Sequence, residues 1–155
     1  MIPGSTSKLS ELQRFILIEA ARSIPELEKR AEGENAWMRG CVEIGWLKPD
    51  FKPIEPRDLS HITRNAILTE FFKLSLRKHR FRQWITDSDT NRIDAETAGP
   101  DRYNRANASL YRAVRRLEAR GLIKRMSKRR AGLQLTEQGI AVANSLTAKA
   151  QKGNN

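Results

Sequence analysis

The sequence predicts a mainly α fold with one small β-hairpin, an α+β arrangement. Three observations predict it. Apolar residues recur at about 100° per residue between positions 102 and 120, two short alternating segments flank a basic turn within 123–135, and further amphipathic stretches lie on either side. With 155 residues, 39% hydrophobic and 30% charged, the chain suits one domain with terminal additions. Its mean hydropathy is −0.63, and its longest apolar runs, such as Phe15–Ile18 and Ala66–Leu68, are far too short to cross a bilayer, so no membrane association is expected. The opening MIPGSTSKLSELQ lacks the basic start and apolar centre of a secretory signal. One cysteine, Cys41, cannot form an internal disulfide and fits a reducing compartment, so a cytoplasmic location is expected.

Ser10 and Gln13 make a capping box that opens a first helix, whose Leu12, Phe15, Ile16, Ala20 and Ile24 repeat at helical spacing. Pro25 is expected to break or restart this helix, leaving a short piece over 26–31 that Gly33 ends. Residues 34–58 carry Trp37, Met38, Val42, Ile44, Trp46 and Leu47 interrupted by Gly40 and Gly45, a pattern shared by short helices and strands. Trp37 and Trp46 read as core anchors, and three prolines make 49–57 an extended connector. Residues 1–58 are thus an N-terminal helix plus a Trp/Pro-rich insertion, packed on a domain at 59–147 and followed by a flexible tail at 148–155.

A helix over about 60–77, capped by Asp58 or Ser60, sets Ile62, Ala66, Ile67, Phe71 and Leu74 on one face. A basic stretch follows, Lys73, Arg77, Lys78, His79, Arg80 and Arg82 with Phe81 and Trp84 beside them, and then a polar loop at 86–102. The clearest element is the helix at about 102–120. Ala106, Leu110, Ala113, Val114 and Leu117 form its apolar stripe, and Gly121 supplies the stop. Residues 122–126 read as a strand, 127–132 as a turn and 133–135 as a returning strand, after which Thr136 caps a last helix with Ile140, Ala143 and Leu146 inward.

Charge is distributed unevenly along this scaffold. Residues 1–60 hold 9 Lys/Arg and 10 Asp/Glu, whereas residues 61–155 hold 20 and 8. Ten bases and a single acid, Glu118, fall within 105–130. Such a concentration repels itself and weakens the folded state unless a polyanion neutralises it. Arginine dominates over lysine there, which suits bidentate contacts with phosphate and guanine.

The run SLYRAVRRLEARGLIKR, followed by GLQLTEQG, resembles the recognition helix and wing of winged helix-turn-helix regulators of the multiple-antibiotic-resistance-repressor (MarR-like) kind. The matching positions are Ser109, Arg112, Leu117, Glu118, Gly121, Leu122, Ile123 and Arg125, then Leu135, Thr136 and Gly139. The resemblance implies sequence-specific binding of double-stranded DNA, a transcriptional-regulator role and a homodimer paired through terminal helices. The helix at 102–120 would enter the major groove and the basic wing at 123–135 would lie on the backbone or minor groove. Asn107, Ser109, Tyr111 and Arg112 are then candidates for bases or nearby phosphates. Arg105, Arg115 and Arg116 are candidates for phosphates, and Lys128, Arg129 and Arg130 for the wing tip. Glu118 is expected to pair locally with Arg115 or Arg125. Two features depart from the pattern: a long segment at 78–104 between the two helices, and the insertion at 33–58.

The same fold serves plasmid-partition, replication and phage DNA-binding proteins, and a basic RNA-binding or protein-contact winged helix is a further alternative. Enzyme chemistry is not expected. His61, His79 and Cys41 make no zinc set, Asp87, Asp89, Asp94 and Glu96 read as turn formers, and the glycines form no phosphate loop, so neither cofactor nor metal is anticipated. His61 itself reads as a surface or capping residue.

Overall fold

The structure is a computed structural model that describes residues 9–74, 93, 95–126 and 132–153. Within them the chain is mainly helical, with one three-stranded antiparallel sheet. Helix α1 spans Glu11–Glu43 and a 3-10 turn follows at Pro56–Asp58. Strand β1 (Ile62–Thr63), α2 (Arg64–Glu70), a single turn α3 (Ala95–Ala98) and α4 (Pro100–Ala119) come next. Strands β2 (Ile123–Arg125) and β3 (Gly132–Leu135) lead into α5 (Glu137–Gly153). No helix among the described residues is long and apolar enough to cross a membrane.

Helix α1 opens with the capping box read from sequence. Ser10 Oγ accepts from Gln13 N (3.2 Å), and Gln13 Oε1 accepts from Ser10 N (2.9 Å). Its first half buries Leu12, Ile16, Leu17 and Ala20. The expected break at Pro25 does not occur, and Gly33 does not end the helix, which continues to Glu43. Proline removes the amide that would bond to Ala21 and costs about 3 kcal/mol in a helix interior, so packing on both sides must outweigh it. Before the proline lies the buried stripe, and Ser23 Oγ donates to His61 O. Beyond it Ala31 and Cys41 are buried. Asn35 there clamps the connector edge-on, with Nδ2 donating to Ile54 O (2.9 Å) and Oδ1 accepting from Ile54 N (2.8 Å).

The second helix is shorter than its pattern suggested. Ile62 and Thr63 are drawn into the sheet instead, paired with Leu133 and Gly132 of β3. Thr63 Oγ1, rather than Asp58 or Ser60, then caps α2 by accepting from Ala66 N (3.1 Å). At the other end Lys73 takes a left-handed conformation (φ 57°), and the Phe71 ring meets Phe15 of α1 at 5.2 Å, tilted by 53°. The strand order is β1-β3-β2, with Ile123 opposite Leu135 and Arg125 opposite Leu133.

One hydrophobic core unites α1, β1, α2, α4, the sheet and α5. The apolar stripes of both terminal helices, Leu12 to Ala20 and Val142 to Leu146, face this shared core. Helix α5 runs on to Gly153, so residues 148–153, expected as a flexible tail, are helical and exposed. The Trp37 and Trp46 assignment as core anchors is also overturned, because the two are 67% and 75% exposed.

The junction between β3 and α5 gives the Leu135-Thr136-x-x-Gly139 run a physical cause. Thr136 Oγ1 accepts from Gly139 N (3.1 Å), capping the helix, and donates to Gly121 O (2.6 Å). A Cβ on Gly139 would lie 2.0 Å from the backbone oxygen of Leu122, so only glycine allows α5 to start there. Gly121 (φ 72°) reverses the chain between α4 and β2, as a left-handed helix stop requires. The Gly139→Ala variant is expected to lose about 1–3 kcal/mol of stability, measured by urea unfolding. An unchanged midpoint would show that the junction relaxes freely.

His61 holds the sheet rather than a helix end. Its Nδ1 accepts from Leu135 N (2.9 Å), which requires the neutral ring, and its own N donates to Leu133 O (2.9 Å). Burial pushes its pKa below the ordinary 6.5, against the opposing pull of Glu28. A depressed imidazole pKa leaves stability intact above the unfolded value and erodes it as the unfolded ring takes up a proton. The melting temperature should therefore fall as pH drops below 6.5 towards the depressed folded value, and His61→Gln should flatten that segment of the profile. A wild-type profile already flat there contradicts this role for the ring.

Candidate nucleic-acid interface

Helix α4 starts two residues before its sequence boundary, with Gly99 as N-cap and Pro100 in the first turn, where the missing amide costs nothing. Its buried residues are Ala106, Leu110, Ala113, Val114 and Leu117, the stripe read from periodicity. That burial sets the direction of every other side chain on the helix. Arg105, Ser109, Arg112 and Arg116 fall at i, i+4, i+7 and i+11 and so share one flank, while Tyr111 and Arg115 lie towards the other. Arg105, Arg112, Arg115 and Arg116 are exposed, and Ser109 is half-buried. Arg105 Nε donates to Asp101 O at 3.3 Å, one turn earlier.

Tyr111 joins this helix to the hairpin. Its ring is 54% exposed and lies 5.5 Å from the Arg115 guanidinium and 5.8 Å from that of Arg125 on β2. Arg125 Nε also meets Glu118 Oε2 at 3.0 Å, so the local pairing expected of Glu118 is with Arg125. Both partners are nearly half exposed, so the pair adds little stability, at most about 1 kcal/mol. Its consequence is positional. The carboxylate and the ring hold Arg125 beside α4, with Lys124 exposed next to it. From Pro100 to Met126 the chain carries eight bases and two acids, Asp101 and Glu118.

Asn107, expected at the bases, is committed inside the molecule. Its Oδ1 accepts from Arg64 Nη2 and its Nδ2 donates to Tyr103 O (3.0 Å). Arg64 Nη2 also donates to the Tyr103 hydroxyl (3.1 Å), and its guanidinium sits 5.8 Å from that ring. This Arg64–Tyr103–Asn107 group fixes the start of α2 against α4. Only the Tyr103–Asn107 spacing of four was visible in sequence; Arg64 is 43 positions away. Arg102 Nη2 approaches Phe72 O at 3.5 Å, so the end of α2 meets α4 as well.

The wing-tip candidates Lys128, Arg129 and Arg130 lie outside the described residues, as do Phe81, Trp84 and the basic stretch around them. The described residues bring no three His, Cys, Asp or Glu side chains together in a cluster able to hold a metal. Comparisons with protein-family models, with curated proteins and with solved structures give no match.

Arg64→Ala leaves Asn107 Oδ1 and the Tyr103 hydroxyl without this charged donor. A loss of about 1.5–3 kcal/mol by urea unfolding is expected, the range for hydrogen bonds to a charged group. A loss below about 0.5 kcal/mol would return Asn107 to the set of groups free to meet a ligand.

Proposed function

We propose that this chain is a winged helix-turn-helix protein that binds double-stranded DNA sequence-specifically and acts as a transcriptional regulator. The observation that carries the reading is the shared cationic surface of α4 and β2, where exposed Arg105, Arg112, Arg115 and Arg116 continue through Tyr111 into Arg125. In this reading α2 and α4 are the paired helices, and β2 and β3 form the wing.

The dimensions suit a duplex. Arg105 and Arg116 are about 16 Å apart along the helix axis at 1.5 Å per residue, somewhat more than the roughly 12 Å width of the major groove. The arginines at the two ends then meet phosphates on opposite strands, while Arg112 and Ser109 between them face base edges. Small Ala108 lets the backbone approach closely. Tyr111, held between two guanidinium groups, presents its hydroxyl and ring edge at the border between helix and hairpin. With Asn107 engaged internally, base reading falls to Ser109 and Arg112. Lys128, Arg129 and Arg130, which follow β2 in sequence, add three more positive charges to this part of the chain.

The test is selection of bound sites from a random duplex pool, followed by gel shifts on selected duplex, random duplex and structured RNA at matched salt. Arg112→Ala should weaken the selected duplex by about 1–3 kcal/mol and random duplex much less. Arg116→Ala should weaken both alike and reduce the salt slope by about one. Equal affinity of wild type for RNA and duplex, or no enriched site, contradicts the proposal.

A further inference from the structure

The far half of α1 and the turn that follows it carry an apolar face that the DNA-binding reading leaves unused. Trp37, Ile44, Trp46 and Leu47 are all large, hydrophobic and exposed; among the described residues only Tyr111 is a fifth of this kind. Trp46 N and Leu47 N both donate to Cys41 O (2.8 and 3.2 Å), which folds the chain back beside the helix end.

Gly33 and Gly40 share a stripe with Trp37 and Ile44. The four positions are spaced four, three and four residues apart, the heptad spacing of a seam between two helices. A Cβ at either glycine would meet nothing within 4 Å, and neither glycine has a positive φ. Each is a poorer helix former than alanine, with no contact among the described residues to justify it.

We infer that this stripe is a homodimer seam whose occupant is the same stripe of a second copy, antiparallel, about a two-fold axis between residues 38 and 39. In that register Trp37 seats over the partner's Gly40 and Ile44 over the partner's Gly33, so each large residue meets a position with no side chain. The two-fold axis repeats both pairs, which closes the contact at two copies. Charge favours the same occupant. The molecule carries +11 overall, but positions 26–48 hold five acids and four bases. A second copy meets a nearly neutral surface here and a repelling one at α4. In this register Glu34 comes beside the partner's Cys41 and Glu43 beside the partner's Ala36, so no like charges face one another.

The seam lies on the far half of α1, not on the stripes Leu12 to Ala20 and Val142 to Leu146 of the terminal helices, which face the core. It does not rest on the DNA-binding reading, and its test uses the full chain without nucleic acid. Sedimentation equilibrium should show a reversible monomer–dimer system at micromolar concentration. The double variant Gly33→Leu with Gly40→Leu adds apolar surface and better helix formers, so non-specific association would strengthen. A socketed seam should instead weaken roughly tenfold or more, with the dilute monomer melting at or above the wild-type temperature. Trp37→Ala should weaken it as well. Three results would each overturn the proposal: a wild-type monomer up to about 100 µM, a double variant that pairs as tightly as wild type, or growth past two copies.

Discussion

The rotation of α4 is the constraint on which the rest depends. Five residues on one side of this helix are buried, and Leu117 is fully so. Burying one leucine or valine contributes about 1.5–3 kcal/mol, and the other side of the helix carries four arginines whose burial would cost several kcal/mol each. Only one rotation satisfies both demands. Given that rotation, Arg105, Arg112, Arg115 and Arg116 must stand in solvent, and no separate device is needed to aim them.

What needs a device is keeping so many like charges beside one another. Tyr111 supplies an aromatic face to two guanidinium groups at 5.5 and 5.8 Å, a contact worth roughly 0.5–1 kcal/mol at an exposed site. Glu118 supplies a carboxylate to Arg125. These contacts tie the outer surface of α4 to β2 without neutralising it, so the surface keeps its excess of positive charge. Arg64, one helix away, is held inward by Asn107 and Tyr103 and works as a brace. The long α1 lies under this arrangement and continues beyond the core as a segment of balanced charge. The chain therefore separates its cationic surface from its exposed apolar one.

Much of α4 was legible in sequence because both of its signals are local: a stripe of constant angular period, and a glycine stop at Gly121. The Thr136–Gly139 spacing was legible for the same reason, since a cap and its target amide lie three residues apart. The failures share a different cause. Pro25 obeys a local rule that packing of the turns before and after it overrides. Strand β1 is two residues long, too short for alternation to register, so Ile62 was assigned to a helix it precedes. Trp37 and Trp46 look like core residues because hydrophobicity alone does not state whether a partner surface exists in the same chain. Asn107 looked free because its partner Arg64 comes from a distant position.

The most direct measurement of the central claim is dimethyl sulfate footprinting of a selected duplex. Guanine N7 is reached from the major groove and adenine N3 from the minor groove, so the reagent reports which groove a protein occupies. The account predicts protection of guanine N7 where α4 docks, and loss of that protection when Arg112 is replaced by alanine. Bound duplex with every guanine N7 still reactive would contradict it, since the arginine surface of α4 would then lie somewhere other than the groove assigned to it.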